Sequence, residues 1–159
     1  MFTPMKYTGT REEQYALVAK QLEALIANEP NRIANLANAS ALLNQFLENI
    51  NWVGFYLSDG KELVLGPFQG LPACIRIPFG KGVCGTAFAE RKTIRVKDVN
   101  AFEGHIACDA NSRSEIVVPI TVKGSVIGVL DIDSPIVDRF DDTDQKGLEQ
   151  FVETLEKHL

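Results

Sequence analysis

Two sets of side chains in this 159-residue chain have the types and spacing to do chemistry: the thiols of Cys74, Cys84 and Cys108, and the carboxylates of Glu115, Asp131 and Asp133. Cys108 and the three carboxylates fall together in the stretch from His105 to Ser134. Cys108 sits in the polar run A-C-D-A-N-S-R, where a thiol stays accessible. Asp131 and Asp133 lie in GVLDIDS, an apolar run that reads as a strand. Side chains two apart on a strand face the same side, so these two share a face and Ile132 takes the other. Glu115, at the entry of the preceding strand, joins them if the two strands pair. The result is three clustered carboxylates with a thiol in the loop that feeds them.

Such a set suits redox chemistry at sulfur. An accessible thiol with one or two others in reach supports a cycle in which the first sulfur becomes a sulfenic acid. A second thiol then closes a disulfide, which an external dithiol reduces. Cys74, after Leu71-Pro72 at the start of a short strand, occupies a rim position, and Cys84 falls in the G-V-C-G turn. The carboxylates raise the pKa of a nearby thiol, a penalty that Arg113 or His105 is placed to offset. They also raise one another's, which holds a carboxylic acid protonated near neutral pH. A protonated acid beside a nucleophilic thiol suits a reaction whose departing oxygen must receive a proton. The plainer role for each cysteine is that of a small buried hydrophobe. An odd count without a C-x-x-C pair argues against a disulfide framework or a zinc ribbon. A metal site from His105, Cys108, Cys74 and Cys84 is the lesser alternative, because structural zinc ligands are usually spaced more tightly.

The remaining sequence supplies the scaffold. Residues 11–28 carry Tyr15, Val18, Leu22, Leu25 and Ile26 at helical spacing, with Thr10 and Glu13 as a capping box. Residues 31–48 repeat the periodicity and are rich in small residues, which fits either packing on a sheet or a helix–helix dimer seam. Period two then takes over: strands over 51–58 and 62–68 around an Asp59-Gly60 turn, and short strands near 74–77 and 93–99 flanking a small helix over 83–90. An irregular stretch follows from Asn100 to Ser114. A second hairpin, 115–122 and 125–133 around Lys123-Gly124, is nearly continuous Val/Ile/Leu and predicts the centre of the sheet. Helical periodicity returns over 141–158. The expected fold is α+β in one domain over 1–159: a mostly antiparallel sheet with its loops over 51–134, and the terminal helices, 11–48 and 141–158, on one face. Net charge is −5 and the 16 basic residues are scattered, which disfavours nucleic acid and anionic membrane as partners. The start, MFTPMKYTGT, lacks the regions of a signal peptide, and no apolar run approaches the ~20 residues of a membrane span, so a reducing cytoplasm is the expected location.

In these motifs the chain resembles the free methionine-(R)-sulfoxide reductases, which are single-domain GAF proteins. The resemblance runs through NWVGFY, LGPFQGLPACIRIPFGKGVCGTA, the Cys108 loop, SEIVVPI, GVLDIDSP and RFDDTD. It implies reduction of free L-methionine-(R)-sulfoxide, with Cys108 attacking the sulfoxide sulfur and Cys74 resolving the sulfenic acid as a Cys74–Cys108 disulfide. Thioredoxin would reduce that disulfide, and Cys84 would be auxiliary. Glu115, Asp131 and Asp133 correspond to carboxylates that hold the substrate ammonium and help protonate the oxygen, and Trp52 and Tyr56 to pocket-lining aromatics. No bound cofactor or metal is implied, and a homodimer is expected. Physical reasoning agrees in part. Trp52 and Tyr56 share a strand face, although core packing alone would account for them. Unpaired buried carboxylates are costly, and a free amino acid brings the compensating ammonium that peptide-bound methionine lacks. The substrate carboxylate is expected to meet backbone N–H groups in the Gly80-to-Gly85 loop. The rival reading is a non-catalytic GAF sensor, disfavoured because no output domain adjoins and the N-K…F…D-E pattern is absent.

Overall fold

A computed structural model describes residues 2–159. Helix α1 spans Arg11–Ile26, opened by a complete capping box between Thr10 and Glu13, and α2 spans Arg32–Phe46, capped by Asn31. Each ends two residues before the range read from the sequence, 11–28 and 31–48. Strands β1 (Trp52–Ser58), β2 (Glu62–Gly70) and β3 (Arg76–Pro78) precede α3 (Gly82–Glu90). Then come β4 (Ile94–Val96), a 3₁₀ turn over Val99–Ala101, β5 (Ser114–Val122), β6 (Ser125–Ser134) and α4 (Asp142–Glu156). The six strands form one sheet in the order β3-β2-β1-β6-β5-β4, with every neighbouring pair antiparallel. This is the α+β fold read from the sequence, although the centre of the sheet is the β1–β6 pair rather than the β5–β6 hairpin.

The two sheet faces have different cover. Val53, Phe55, Ile116, Val118, Ile120, Leu130 and Ile132 face α1, α2 and α4, where they pack with Leu22, Leu36, Leu43, Leu148 and Phe151. The alternate residues Trp52, Tyr56, Val117 and Val129 face the other way, where Val83 and Ala87 of α3 pack beside them. Strand alternation thus sends the terminal helices to one face and leaves the opposite face to α3 and the long loops. In α2, Ala39 and Ser40 are buried against the sheet, which accounts for part of its small-residue content as close packing. Ile33, Ala37 and Ala41 face solvent.

The α1–α4 contact is locked by one buried carboxylate. Asp144 accepts from the Tyr15 hydroxyl at 2.7 Å and pairs with Arg11 at 3.0 Å and Arg139 at 3.3 Å. Its oxygens are therefore compensated on three sides, which a buried charge requires. No helix among the described residues is long and apolar enough to cross a membrane.

Four local expectations are corrected. The first hairpin turns one residue later than read: Asp59 N–H donates to Glu62 O at 3.1 Å, leaving Gly60 (φ 92°) and Lys61 at the tip. The Asp59 side chain drives this, since its Oδ1 accepts from the backbone of Lys61 and Glu62. The 93–99 strand shortens to three residues because Asp98 caps the 3₁₀ turn. Cys84 lies inside α3 rather than in a turn, and Cys74 precedes β3 in a loop.

Candidate active site

Register builds the floor of the site. Across β1, β6 and β5, Trp52 is opposite Asp133, which is opposite Glu115. The next row on that face is Gly54, Asp131 and Val117, and Tyr56 and Val129 follow. The three carboxylates therefore stand side by side on β6 and β5, with Trp52 and Tyr56 both on the β1 side. Gly54 makes that spacing possible. A Cβ there would fall 2.3 Å from Phe68 Cβ and 2.9 Å from the Trp52 ring. Its absence lets Trp52 lie flat, stacked on Phe68 with centroids 5.1 Å apart and near Tyr56 at 5.9 Å.

The floor is buried and short of positive charge. Glu115 and Asp131 are each 6 % exposed. Burial first, then the Asp133 charge, push Glu115 up to about 8. Burial, with Glu115 as the second cause for Asp131 and Asp131 for Asp133, holds both aspartates well above the usual carboxylate range. His105 Nε2 is 3.7 Å from Glu115 Oε1, but burial lowers the imidazole pKa, so it does not serve as a standing cation. Arg113 is exposed and lies outside the pocket lining. Neither residue brings a standing positive charge to this floor. Asp131 Oδ1 is buried without a hydrogen-bond donor. Its neighbours are the Glu115 carboxyl and the Cys84 thiol, so it is satisfied only when one of these brings a proton or a cation enters.

The cysteines surround this floor. Cys74 and Cys108 form a disulfide, 34 residues apart in sequence and 5.4 Å between Cα atoms, and Cys108 lines the pocket directly. This pairing removes the four-ligand metal site of His105, Cys108, Cys74 and Cys84 in the oxidised chain. Cys84 is free, 3 % exposed, and its pKa is raised by burial and by the Asp131 charge. With the disulfide closed the cavity measures about 30 Å³. That is room for one or two waters, far below the roughly 300 Å³ at which small-molecule pockets begin.

The GAF domain family pattern matches residues 22–159. The chain is 62% identical over 162 residues to Protein YtsP of Bacillus subtilis, covering 100% of this chain and 99% of that protein. It is 56% identical to the free methionine-R-sulfoxide reductase of Escherichia coli, over 94% of this chain and 90% of that one. Its structure superposes on the Neisseria meningitidis free methionine-R-sulfoxide reductase, solved in complex with its substrate. The TM-score is 0.94 at 47% identity, covering 99% of this chain and 95% of that one. The chain belongs to the free methionine-(R)-sulfoxide reductase family of GAF-domain proteins.

In this reductase-family chain the site also uses residues that the sequence reading passed over. The loop carrying Cys74 hangs from the aromatic floor: Trp52 Nε1 donates to Leu71 O at 3.1 Å and the Tyr56 hydroxyl to Cys74 O at 2.9 Å. The loop carrying Cys108 is pinned by Asn51, whose amide donates to Asp109 Oδ2 at 2.9 Å and Ser112 Oγ at 3.2 Å. Asp109 Oδ1 in turn accepts from Asn111 N at 2.8 Å. An Asp-x-Asn turn right after Cys108 was the available signal for this anchor. The Gly80-to-Gly85 segment is narrower in use than expected. Gly80 N donates to Gly85 O and Gly85 N to Lys81 O, while Gly82, Val83 and Cys84, at the N-terminus of α3, line the pocket. Lys81 gives that terminus no side-chain cap.

Proposed function

We propose that this reductase-family chain reduces free L-methionine-(R)-sulfoxide to L-methionine, with Cys108 as nucleophile and Cys74 as resolving thiol. The observation that carries this reading is the Cys74–Cys108 disulfide at the edge of a pocket floored by Glu115, Asp131 and Asp133.

The Cys108 thiolate attacks the sulfoxide sulfur while a protonated carboxyl group gives its proton to the departing oxygen. Methionine leaves, and Cys108 carries that oxygen as a sulfenic acid. Cys74 then attacks Cys108 Sγ; the disulfide forms and water departs. A dithiol reductant, read here as thioredoxin, returns both cysteines to thiols and is itself oxidised. Glu115, raised to about 8 by burial and by Asp133, retains a proton at neutral pH and suits the donor role.

Specificity for the free amino acid follows from charge. The substrate ammonium satisfies Asp131 and Asp133, which no side chain of the protein neutralises. The substrate carboxylate suits the uncapped N-terminus of α3, where backbone N–H groups and the helix dipole favour an anion. Methionine within a peptide has neither charge. Trp52 and Tyr56 give the methyl and thioether groups an apolar wall.

The decisive experiment incubates reduced protein with L-methionine-(R)-sulfoxide, thioredoxin, thioredoxin reductase and NADPH. Substrate-dependent NADPH consumption is expected, together with loss of turnover in Cys108→Ser. A flat trace with active coupling proteins, in both thioredoxin- and dithiothreitol-driven reactions, would overturn the reading.

A further inference from the structure

Cys84 is not needed for the disulfide, yet it is buried beside Glu115 and Asp131, within the same cavity. One ligand atom from each of these three residues, the Cys84 sulfur and two carboxylate oxygens, lies within 4.8 Å of the other two. A single tetrahedral cation with about 2.3 Å bonds to sulfur and about 2.0–2.2 Å bonds to carboxylate oxygen would draw such atoms slightly closer. A further feature points to an occupant: Asp131 Oδ1 is fully buried and has no hydrogen-bond partner while its neighbours Glu115 and Cys84 are deprotonated. His105 stands behind Glu115 with Nε2 3.7 Å from its Oε1, adding a nitrogen ligand type at the edge of the set.

We infer that Cys84, Glu115 and Asp131 form a binding site for a thiophilic divalent cation, zinc in type, and that this site is complete in the disulfide form. The donor set of one thiolate, two carboxylates and a nearby imidazole is that of zinc rather than of magnesium or calcium, which take oxygen ligands alone. Size favours the same occupant. With Cys74 and Cys108 joined, a cavity of about 30 Å³ admits an ion and excludes an amino acid. Binding is an acid–base exchange with no change of redox state: the cation enters, a metal–sulfur bond forms, and the thiol proton and any carboxyl proton leave to solvent. The cation takes two carboxylates that the proposed function gives to the substrate, so cation and methionine sulfoxide exclude one another. That last consequence rests on the reductase reading, whereas the site itself does not.

Cobalt(II) tests the site in the oxidised protein, where Cys84 is the sole free thiol and hence the sole source of a sulfur-to-cobalt charge-transfer band. The wild type is expected to develop this band stoichiometrically, and zinc to bleach it. Cys84→Ala should show no band, and Asp131→Asn should need at least tenfold more cobalt. Absence of the band in the wild type, or its persistence in Cys84→Ala, overturns the site. Thermal melts of both variants check that the fold is intact, and Cys84→Ser provides a second thiol-free variant. A Cys74→Ser/Cys108→Ser protein then separates the two claims, since it keeps Cys84 without the closing disulfide. Methionine sulfoxide should bleach the cobalt band there. A band indifferent to methionine sulfoxide removes the competition and leaves the metal site standing.

Discussion

The Tyr56 hydroxyl donates a hydrogen bond to the Cys74 carbonyl at 2.9 Å, so the aromatic floor of the pocket also suspends the loop that carries Cys74. Burial and the adjacent carboxylate charges keep Tyr56 protonated, so this donor persists throughout the working pH range. One side chain thus lines the pocket and holds the Cys74 loop in place. Tyr56→Phe keeps the ring and removes the anchor. A hydrogen bond of this kind is worth about 1 kcal/mol, so disulfide closure should slow roughly fivefold. Quenching a single turnover with a sulfenic-acid trap measures this. The variant should show a longer-lived Cys108 sulfenic acid, and an unchanged lifetime would remove the positioning role.

Glu115 predicts opposite responses to pH from an ordinary surface carboxylate. Its pKa rises from 4.5 unfolded to about 8 folded, first through burial and then through the Asp133 charge. Between those values the folded state binds more protons than the unfolded state, so stability falls as pH rises through this window. The limiting slope for one such group is about 1.4 kcal/mol per pH unit. Asp131 and Asp133, also raised, act in the same direction. Urea unfolding between pH 5 and 8 should show decreasing stability, with a shallower decrease in Glu115→Gln. In the coupled assay, kcat/KM should fall on the alkaline side as the proton donor is lost. Glu115→Gln should lower it about 100-fold or more, in line with loss of general acid catalysis.

The floor of the site was legible because it depends on strand alternation and pairing alone. Asp131 and Asp133 two apart, and Trp52 and Tyr56 four apart, could occupy no other face once β1, β6 and β5 were strands. Cys84 was less legible. Its flanking glycines, Gly82 and Gly85, suggested a turn, but they start α3, and burial of the thiol comes from tertiary packing against the sheet. The placement of Arg113 and His105 was hard to read for a similar reason. Proximity in sequence to Cys108 did not fix direction in space, so Arg113 points to solvent and burial disfavours the charged imidazole. The anchors Asn51 and Ser112 went unread because they join segments 61 residues apart.

Gly54 is required for room rather than for backbone freedom. A Cβ at 2.3 Å from Phe68 Cβ cannot be absorbed by a flexible chain end, since both atoms are fixed to paired strands. Gly54→Ala should therefore cost about 1–3 kcal/mol, the range typical of overpacking. Because the nearest ring is Trp52, the damage should reach the site as well. A lower Tm together with a changed tryptophan emission spectrum is expected, as Trp52 is the single tryptophan. A variant with wild-type Tm and emission would mean that β2 shifts freely, against the register described.

Cys74→Ser separates the first chemical step from recycling. Cys108 retains its place beside the carboxylates, so one equivalent of methionine should form per protein and turnover should stop at the sulfenic acid. The alternative partner is Cys84, which lines the same cavity. Its sulfur is held within α3, lies against Asp131 and Glu115, and has a raised pKa, so it is a poor thiolate at neutral pH. A thiolate is what disulfide closure needs. Continued thioredoxin-driven turnover in Cys74→Ser, lost again in Cys74→Ser/Cys84→Ser, would transfer the resolving role to Cys84. It would also mean that α3 moves by enough to bring a buried sulfur to Cys108. Burst amplitude followed by stalling keeps Cys74 as the thiol that closes the cycle.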